Sequence, residues 1–401
     1  MDRSSRVRVS GPLAGFASGF REQLAALGYA PSSAAAHLLL MAQLSRWLDE
    51  VGLSPGLLTP QRLDDFLRSN RALGHRFPRS TNGTVPLLSY LRGAGVVPPE
   101  PAAARSSSEE LLDWFRLYLA RERGLGEGTI VGYVHAAALF LKAVDHAGGR
   151  DLERLSPTDV SEFLLAERDR RSVGSAKSVV SGLRAWLRFL HVAGITPVSL
   201  SGSVPAVSGW NGTSLPRAMD PASVMALLGS CDRRTAKGRR DFAVLTVMAR
   251  LGLRVSEVAA LELTDIDWRD GQILVRGKAS RVERLPLPVD VGQALADYVQ
   301  HGRPHGAHRA LFLRMVAPHG AVTASALKVI VHAACARVGL PLLGAHRLRH
   351  TVASDLLRHG AGLPEIGQVL RHRSIAATAI YAKTDTMALR QLARPWPGGA
   401  A

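Results

Sequence analysis

The stretch GAHRLRHTVASDLLRHG at residues 344–360, continued by AGLPEIGQVLRHRSIAATAIYAK at 361–383, decides how the rest of the chain is read. Leu348, Val352 and Leu356 recur every four residues, so a helix opening at Gly344 commits one face to a core. His346, Arg349 and His350 lie three and four apart and share one turn of helix surface beside that stripe. Gly360 is placed to stop the helix, and Pro364 to begin a second one with Ile366, Val369 and Leu370 apolar. The polar break Arg371-His372-Arg373-Ser374 follows, and Ser374 is positioned to cap a third helix carrying Tyr381. A phenol, imidazoles and a guanidinium are thereby held on packed helices joined by tight loops. That set suits attack on a phosphate.

Each of these residues also has a plainer reading. A buried tyrosine is usually core with its hydroxyl satisfied, and a helical histidine is usually structural or solvated. His346 and His350 have the i, i+4 spacing of two zinc ligands. Against a metal, Arg347 and Arg349 stand where a metalloprotease helix carries a glutamate, and cations disfavour a neighbouring cation site.

Taken together, His346-x-x-Arg349, then His372, then Tyr381 within IYAK resemble the C-terminal signature of the tyrosine recombinase family, that of the phage integrases and Xer-like enzymes. Two upstream stretches fit the same order. GLRVSEVAALELTDIDW at 252–268 resembles the family's first arginine box, and VRGKASRVERLPLP at 275–288 resembles its lysine hairpin. One position departs: Arg371 stands where the family usually has the Gly of its LGHS motif.

The resemblance implies a catalytic set of Tyr381, Arg254, Lys278, His346, Arg349 and His372. Tyr381 is the nucleophile of a 3′-phosphotyrosyl intermediate. A metal-free enzyme must neutralise the non-bridging oxygens of the phosphodiester, and guanidiniums bind them in fork geometry and stay charged. Arg254 and Arg349 suit that task, with His372 as a third donor. The phenol's ordinary pKa is near 10, so its proton needs an acceptor, for which His346 is the candidate. The leaving 5′-oxygen needs a proton, for which Lys278 is the candidate. Ser256 is placed to cap and start the helix after Arg254, Glu257 to brace the Arg254 guanidinium, and His350 reads as structural support. No cofactor and no metal are expected.

The 401 residues suffice for two or three domains with real cores. Fifty Lys and Arg against 33 Asp and Glu give a formal net charge of +17, which points to a polyanion such as nucleic acid. A membrane surface is the rival partner, but no apolar run is long enough to span a bilayer, and the start MDRSSRVRVSG lacks an export signal. The two cysteines, Cys231 and Cys335, fit a reducing cytoplasm and read as small core residues.

Along the chain, 18–98 and 108–197 share a layout. Gly28, Gly52 and Leu58-Thr-Pro in the first match Gly124, Gly148 and Leu155-Ser-Pro in the second, and LSYLRGAG at 88–95 closes the first as LRFLHVAG at 187–194 closes the second. This reads as a duplicated four-helix module. The expected fold is mainly α with a small β-hairpin: an N-terminal helical module at 1–104, a SAM-like core-binding domain at 105–198 and a linker at 199–216. A catalytic domain of the DNA breaking-rejoining fold at 217–395 and a tail at 396–401 follow. Lys177, Arg184 and Arg188 beside an apolar stripe, together with Arg371 and Arg373, are candidate DNA contacts. The first module has two open roles, binding DNA further along or joining protomers. Lys278 is expected at the tip of a hairpin formed by 272–276 and 281–287.

The reading that emerges is a cytoplasmic, nucleoid-associated bacterial site-specific recombinase or integrase of mobile DNA, serving integration, excision or transposition. It acts on double-stranded DNA as a tetramer, or in a hetero-assembly with sister recombinases. A type IB topoisomerase shares the chemistry, and a non-catalytic DNA-binding partner in a multi-recombinase element is the alternative from another class.

Overall fold

The computed structural model describes residues 7–75, 81–99, 106–146, 151–168, 170–171, 173–206, 218–277, 281–372 and 374–384. The chain divides into two units, one made of 1–99 with 214–401 and the other of 100–213.

In the first unit, α1 (Ala17–Ala26), α2 (Pro31–Glu50), α3 (Pro60–Ala72) and α4 (Val85–Gly93) bury Phe20, Leu38, Leu44, Phe66 and Leu91 in a core of their own. Proline at the start of α2 and α3 removes an amide that no helical carbonyl would have reached. The Thr59 hydroxyl accepts the Arg62 N–H to cap α3. This module touches the later part of the unit where the His319 N–H donates to the Leu27 carbonyl at 3.1 Å.

The second unit runs α5 (Ser107–Arg121), α6 (Glu127–His146), α7 (Pro157–Arg168) and α8 (Val173–Val192). Its helix order parallels α1–α4: α2 and α6 are both 20 residues long, and both modules close on a glycine of positive φ, Gly95 and Gly194. They differ at the end, since α8 has 20 residues and α4 has nine. Phe115, Trp186 and Phe189 form an aromatic centre, and Leu200 and Val204 join the same core. The expected linker at 199–216 therefore begins later than read, because apolar residues at 200 and 204 bury themselves in the module before the chain leaves it. The segment 207–217 lies outside the described residues.

After residue 217 the first unit resumes with α9 (Pro221–Gly229), capped by Asp220, and α10 (Ala236–Leu251). Next come α11 (Val255–Ala259) and a three-stranded antiparallel sheet of β1 (Ile266–Asp267), β2 (Gln272–Arg276) and β3 (Val282–Pro286). The β2–β3 register runs from Gln272 opposite Pro286 to Arg276 opposite Val282, so the two alternating stretches pair as the expected hairpin. The helices α12 (Val289–His301), α13 (Ala324–Arg337), α14 (His346–Arg358), α15 (Leu363–Val369) and α16 (Ile375–Ala379) complete it, with a 3₁₀ turn at Ile380–Thr384. α10 is the central element, its Ala243, Val244, Val247 and Met248 all buried. Cys231 and Cys335 are buried and unpaired, as expected of small core residues. No helix among the described residues is long and apolar enough to cross a membrane.

Gly252 ends α10 in the left-handed region, φ +58°, and a Cβ there would lie 2.9 Å from Leu370 Cδ2. Gly252→Ala combines backbone strain with a clash, so a loss of about 1–3 kcal/mol is expected. A drop in thermal midpoint checks it, and an unchanged midpoint contradicts it.

Candidate active site

Three segments meet beside Gly252: the bend into α11, the first half of α14, and the stretch from the end of α15 to the 3₁₀ turn. Leu348 and Val352 anchor α14 in neighbouring cores, while Ile366, Leu370 and Tyr381 pack with Val352 and Ala353. The polar side chains are thus carried on elements whose apolar faces fix them.

Arg349 is 1 % exposed. Its Nη1 donates to the Gly252 carbonyl at 2.6 Å and its Nη2 to the Leu370 carbonyl, so one guanidinium ties α10, α14 and α15 together. Burial, helped by the cations Arg254 and Arg371, pulls its pKa down to about 10, which leaves it charged at neutral pH. Arg254 occupies the position before α11. Its amide donates to Glu257 Oε2 at 2.8 Å, and its Nη1 pairs with Glu257 Oε1 at 2.6 Å. Glu257 therefore caps α11 and braces Arg254 at once. Helix initiation at Ser256, the sequence expectation, is displaced by this cap: α11 begins at Val255 with Arg254 before it.

Burial pushes the Glu257 carboxyl up, but the Arg254 amide, the Arg371 guanidinium and the Arg254 guanidinium outweigh it. The net shift is downward, and the group stays ionised.

Tyr381 is 1 % exposed, and its hydroxyl lies 2.8 Å from His350 Nδ1. Burial raises the phenol's pKa, against a smaller opposing pull from Arg349. Burial, then His346, Arg349 and Arg347, lowers His350 to about 4. With the phenol protonated and the imidazole neutral, the phenol O–H donates to Nδ1 in the tautomer that carries the imidazole proton on Nε2. The histidine on the phenol is thus His350, and the expected base His346 is one helical turn away, its ring edge-on to His350 at 4.5 Å. Burial, then Arg349 and Arg254, lowers the pKa of His346.

His372 stacks parallel to the Tyr381 ring at 6.3 Å, and its Nδ1 lies 2.8 Å from Thr378 Oγ1. Burial, then four neighbouring cationic or imidazole groups, lowers it to about 4. Thr378 and the contact role of His350 were missed in the sequence. The i, i+3 spacing of Thr378 and Tyr381 was the available signal for the first, and none indicated the second, since 31 residues separate the partners.

The pKa values carry a stability consequence. Unfolded imidazoles protonate near pH 6.5, whereas His350 and His372 resist protonation to about pH 4 in the folded chain. Between those limits the unfolded state binds more protons, so stability falls as pH drops from about 6.5 to 4. The thermal midpoint of His350→Gln is expected to fall less steeply across that window than wild type. Parallel curves would contradict the assignment.

The other expected residues are placed as follows. Arg371 lies at φ +56° with its side chain 4 % exposed and Nη2 2.9 Å from Glu257 Oε2. It lies beside a depression of about 490 Å³ that also takes in His372, Ser374, Ile375, Thr378 and Glu283. Ser374 precedes α16, but its side chain makes no capping hydrogen bond. Lys278 and Arg373 lie outside the described residues; Gly277 and Arg281, which flank the hairpin tip, are joined by an amide-to-carbonyl bond of 2.7 Å. In the other unit, Arg188 on α8 is exposed and Lys177 half-buried, while the Arg184 guanidinium is directed to the Val204 carbonyl at 2.9 Å. Arg184 therefore serves at least partly to anchor the end of its own module. Among the described residues, no group of three or more His, Cys, Asp or Glu side chains is arranged to hold a metal ion.

Comparisons with known proteins agree on one family. Residues 217–387 match the phage integrase family, and residues 112–194 match the phage integrase N-terminal SAM-like domain. The chain is 39% identical over 404 residues to y4rA of Sinorhizobium fredii, whose name places it among integrases and recombinases, covering 97% of this chain and 96% of that one. It is 31% identical over 301 residues to tyrosine recombinase XerD of Mycobacterium tuberculosis, covering 70% of this chain and 94% of XerD. Among solved structures, XerH bound to palindromic difH in a post-cleavage complex matches with a TM-score of 0.56 and 20% identity, over 72% of this chain and 84% of that one. A lambda integrase dimer bound to a COC′ core site matches with a TM-score of 0.54 and 15% identity, over 84% and 89%. These two likenesses show the fold. The y4rA match, at 97% of this chain, takes in the N-terminal module.

Proposed function

The chain belongs to the phage integrase family of tyrosine recombinases, whose members are DNA strand-transferring enzymes, and from that premise we propose how its own residues carry out site-specific recombination. The observation that carries the reading is the Tyr381 hydroxyl held on His350 at 2.8 Å, on helices locked by the buried Arg349.

Double-stranded DNA is the substrate. Arg254 and Arg349 bind the non-bridging oxygens of the scissile phosphate, and His346 and His372 add donors. With Thr378 donating to His372 Nδ1, the proton of neutral His372 sits on Nε2, available to an oxygen. The phenol oxygen attacks phosphorus as its proton passes to His350. The ordinary phenol value of 10.0 lies so far above that of His350 that the proton does not transfer in the free protein. Transfer accompanies bond formation, when an anionic phosphate nearby raises the imidazole and the forming ester makes the oxygen non-basic. The bond from phosphorus to the 5′-oxygen breaks, and Lys278 protonates the leaving oxygen. The 3′-phosphotyrosyl link keeps the energy of the broken bond, so a 5′-hydroxyl from another strand can reverse the step without ATP. Because fixed cations supply the charge, the reaction proceeds without a divalent metal.

Exchange between two duplexes uses four such sites, in a tetramer of this chain or a hetero-assembly with sister recombinases. The biological setting is integration, excision or transposition of mobile DNA in the bacterial cytoplasm. The test is to incubate two duplexes bearing the ends of the encoding element in EDTA. Recombinant joints confined to matched sites are expected. Relaxation of any supercoiled plasmid without site preference would replace this reading with a topoisomerase.

A further inference from the structure

The turn that ends α15 places Arg371 where a glycine is the natural choice. Its backbone φ is +56°, and it is the non-glycine residue with positive φ among the described residues. The His372 amide donates to the Gly367 carbonyl and the Arg371 amide to the Gln368 carbonyl, both at 2.9 Å. That hydrogen-bond pattern is the helix-ending motif whose left-handed position is usually filled by glycine. A side chain at that φ is strained, so the strain is offset elsewhere.

The compensation is electrostatic. The Arg371 side chain is 4 % exposed and pairs with Glu257, itself 2 % exposed, across 114 positions of sequence. Nη1 of Arg371 also donates to the Val369 carbonyl at 3.0 Å. Glu257 is therefore shared between two guanidiniums. Oε1 holds Arg254 at 2.6 Å, while Oε2 takes Arg371 at 2.9 Å together with the Arg254 amide.

This sharing matters when DNA arrives. For Arg254 to bind a phosphate through its full fork, Nη1 must loosen from Glu257, and a buried carboxylate stripped of its counter-charge is costly. A second guanidinium already on the same carboxylate removes that cost. We infer that Arg371 is a positioning residue that holds the counter-charge of Glu257 so that Arg254 can pass to the scissile phosphate. The inference rests on the proposed phosphate role of Arg254.

Arg371→Gly isolates the side chain, because glycine adopts φ +56° freely and the turn is kept. Two readouts are taken with the full chain and a nicked duplex from the end of the encoding element. One is affinity for the uncleaved duplex in the Tyr381→Phe background, and the other is the single-turnover cleavage rate at saturating DNA with Tyr381 present. With Arg371→Gly, cleavage is expected to fall on the order of 10- to 100-fold while affinity changes only a few-fold, because Arg254 stays on Glu257 in the transition state. Adding Glu257→Gln, which keeps an acceptor for the Arg254 amide and needs no counter-charge, is expected to restore most of the rate. A purely structural Arg371 would predict no such rescue. An Arg371→Gly enzyme that cleaves like wild type, or a double variant no faster than the single one, overturns the inference. If wild type forms no adduct, the proposed chemistry is what fails. In that case the thermal midpoint still judges the pairing: Glu257→Gln is expected to raise the midpoint of Arg371→Gly, where the carboxylate has lost a counter-charge, by more than it changes that of wild type, and equal effects of Glu257→Gln in the two backgrounds reject the shared carboxylate.

Discussion

Tyr381→Phe is expected to yield no covalent protein–DNA adduct and no strand cleavage, while still binding its duplex within about two-fold of wild type, since in the proposed mechanism the phenol oxygen is the nucleophile rather than a binding group. The size of the effect follows from the site. No other hydroxyl among the described residues is held on His350, and water is a poor substitute for an oriented phenol. The fold is expected to survive, because phenylalanine refills the space of a side chain that is 1 % exposed and packs with Val352, Ile366 and Leu370. The loss of one hydrogen bond to His350 costs about 1 kcal/mol. Covalent trapping on a suicide substrate, paired with a gel shift, checks both halves. Residual adduct from the Phe variant would move the nucleophile elsewhere in the chain.

Arg349→Lys is the second large effect, and it acts on both rate and stability. An ammonium keeps the charge but cannot serve the Gly252 and Leu370 carbonyls while offering a fork to a phosphate. A buried carbonyl left without its donor costs about 1–3 kcal/mol, so the midpoint falls. Loss of one oriented donor from a developing oxyanion costs on the order of 10²–10³ in rate. Arg349→Ala removes the charge as well and is expected to be worse in both respects. The two effects separate by temperature: a cleavage deficit that persists well below the lowered midpoint belongs to the chemistry. Wild-type cleavage by Arg349→Lys at low temperature would reduce Arg349 to a structural brace.

Much of this site could be read from the chain because its residues sit on short, strongly periodic helices. His346, Arg349 and His350 share a turn by spacing alone, and Pro364 and Gly360 mark helix boundaries that the structure places at Leu363 and Arg358. The β2–β3 hairpin was equally legible from its alternation. Contacts made over long sequence separations were not. The choice between His346 and His350 as partner of Tyr381 depends on how α14 is rotated against the 3₁₀ turn, which spacing within α14 cannot give. The pairing of Arg371 with Glu257 likewise joins segments that no local pattern connects. Ser256 and Ser374 were read as caps from residue type. At the first the Glu257 carboxylate took the role, and at the second the hydroxyl makes no capping bond. Gly, Ser and Pro dominate the composition from 199 onward and so place the linker too early, although Leu200 and Val204 supply apolar surface that the module core takes up.

In the proposed mechanism Tyr381 becomes bonded to a DNA phosphate without help from a metal. The most direct measurement is to trap the protein on a nicked suicide duplex in EDTA, digest both components, and identify the modified peptide by mass spectrometry. A nucleotide remnant on Tyr381 is expected, linked through a 3′-phosphate and formed equally well with and without added magnesium. A remnant on another residue, or an adduct that forms only when magnesium is supplied, would contradict it.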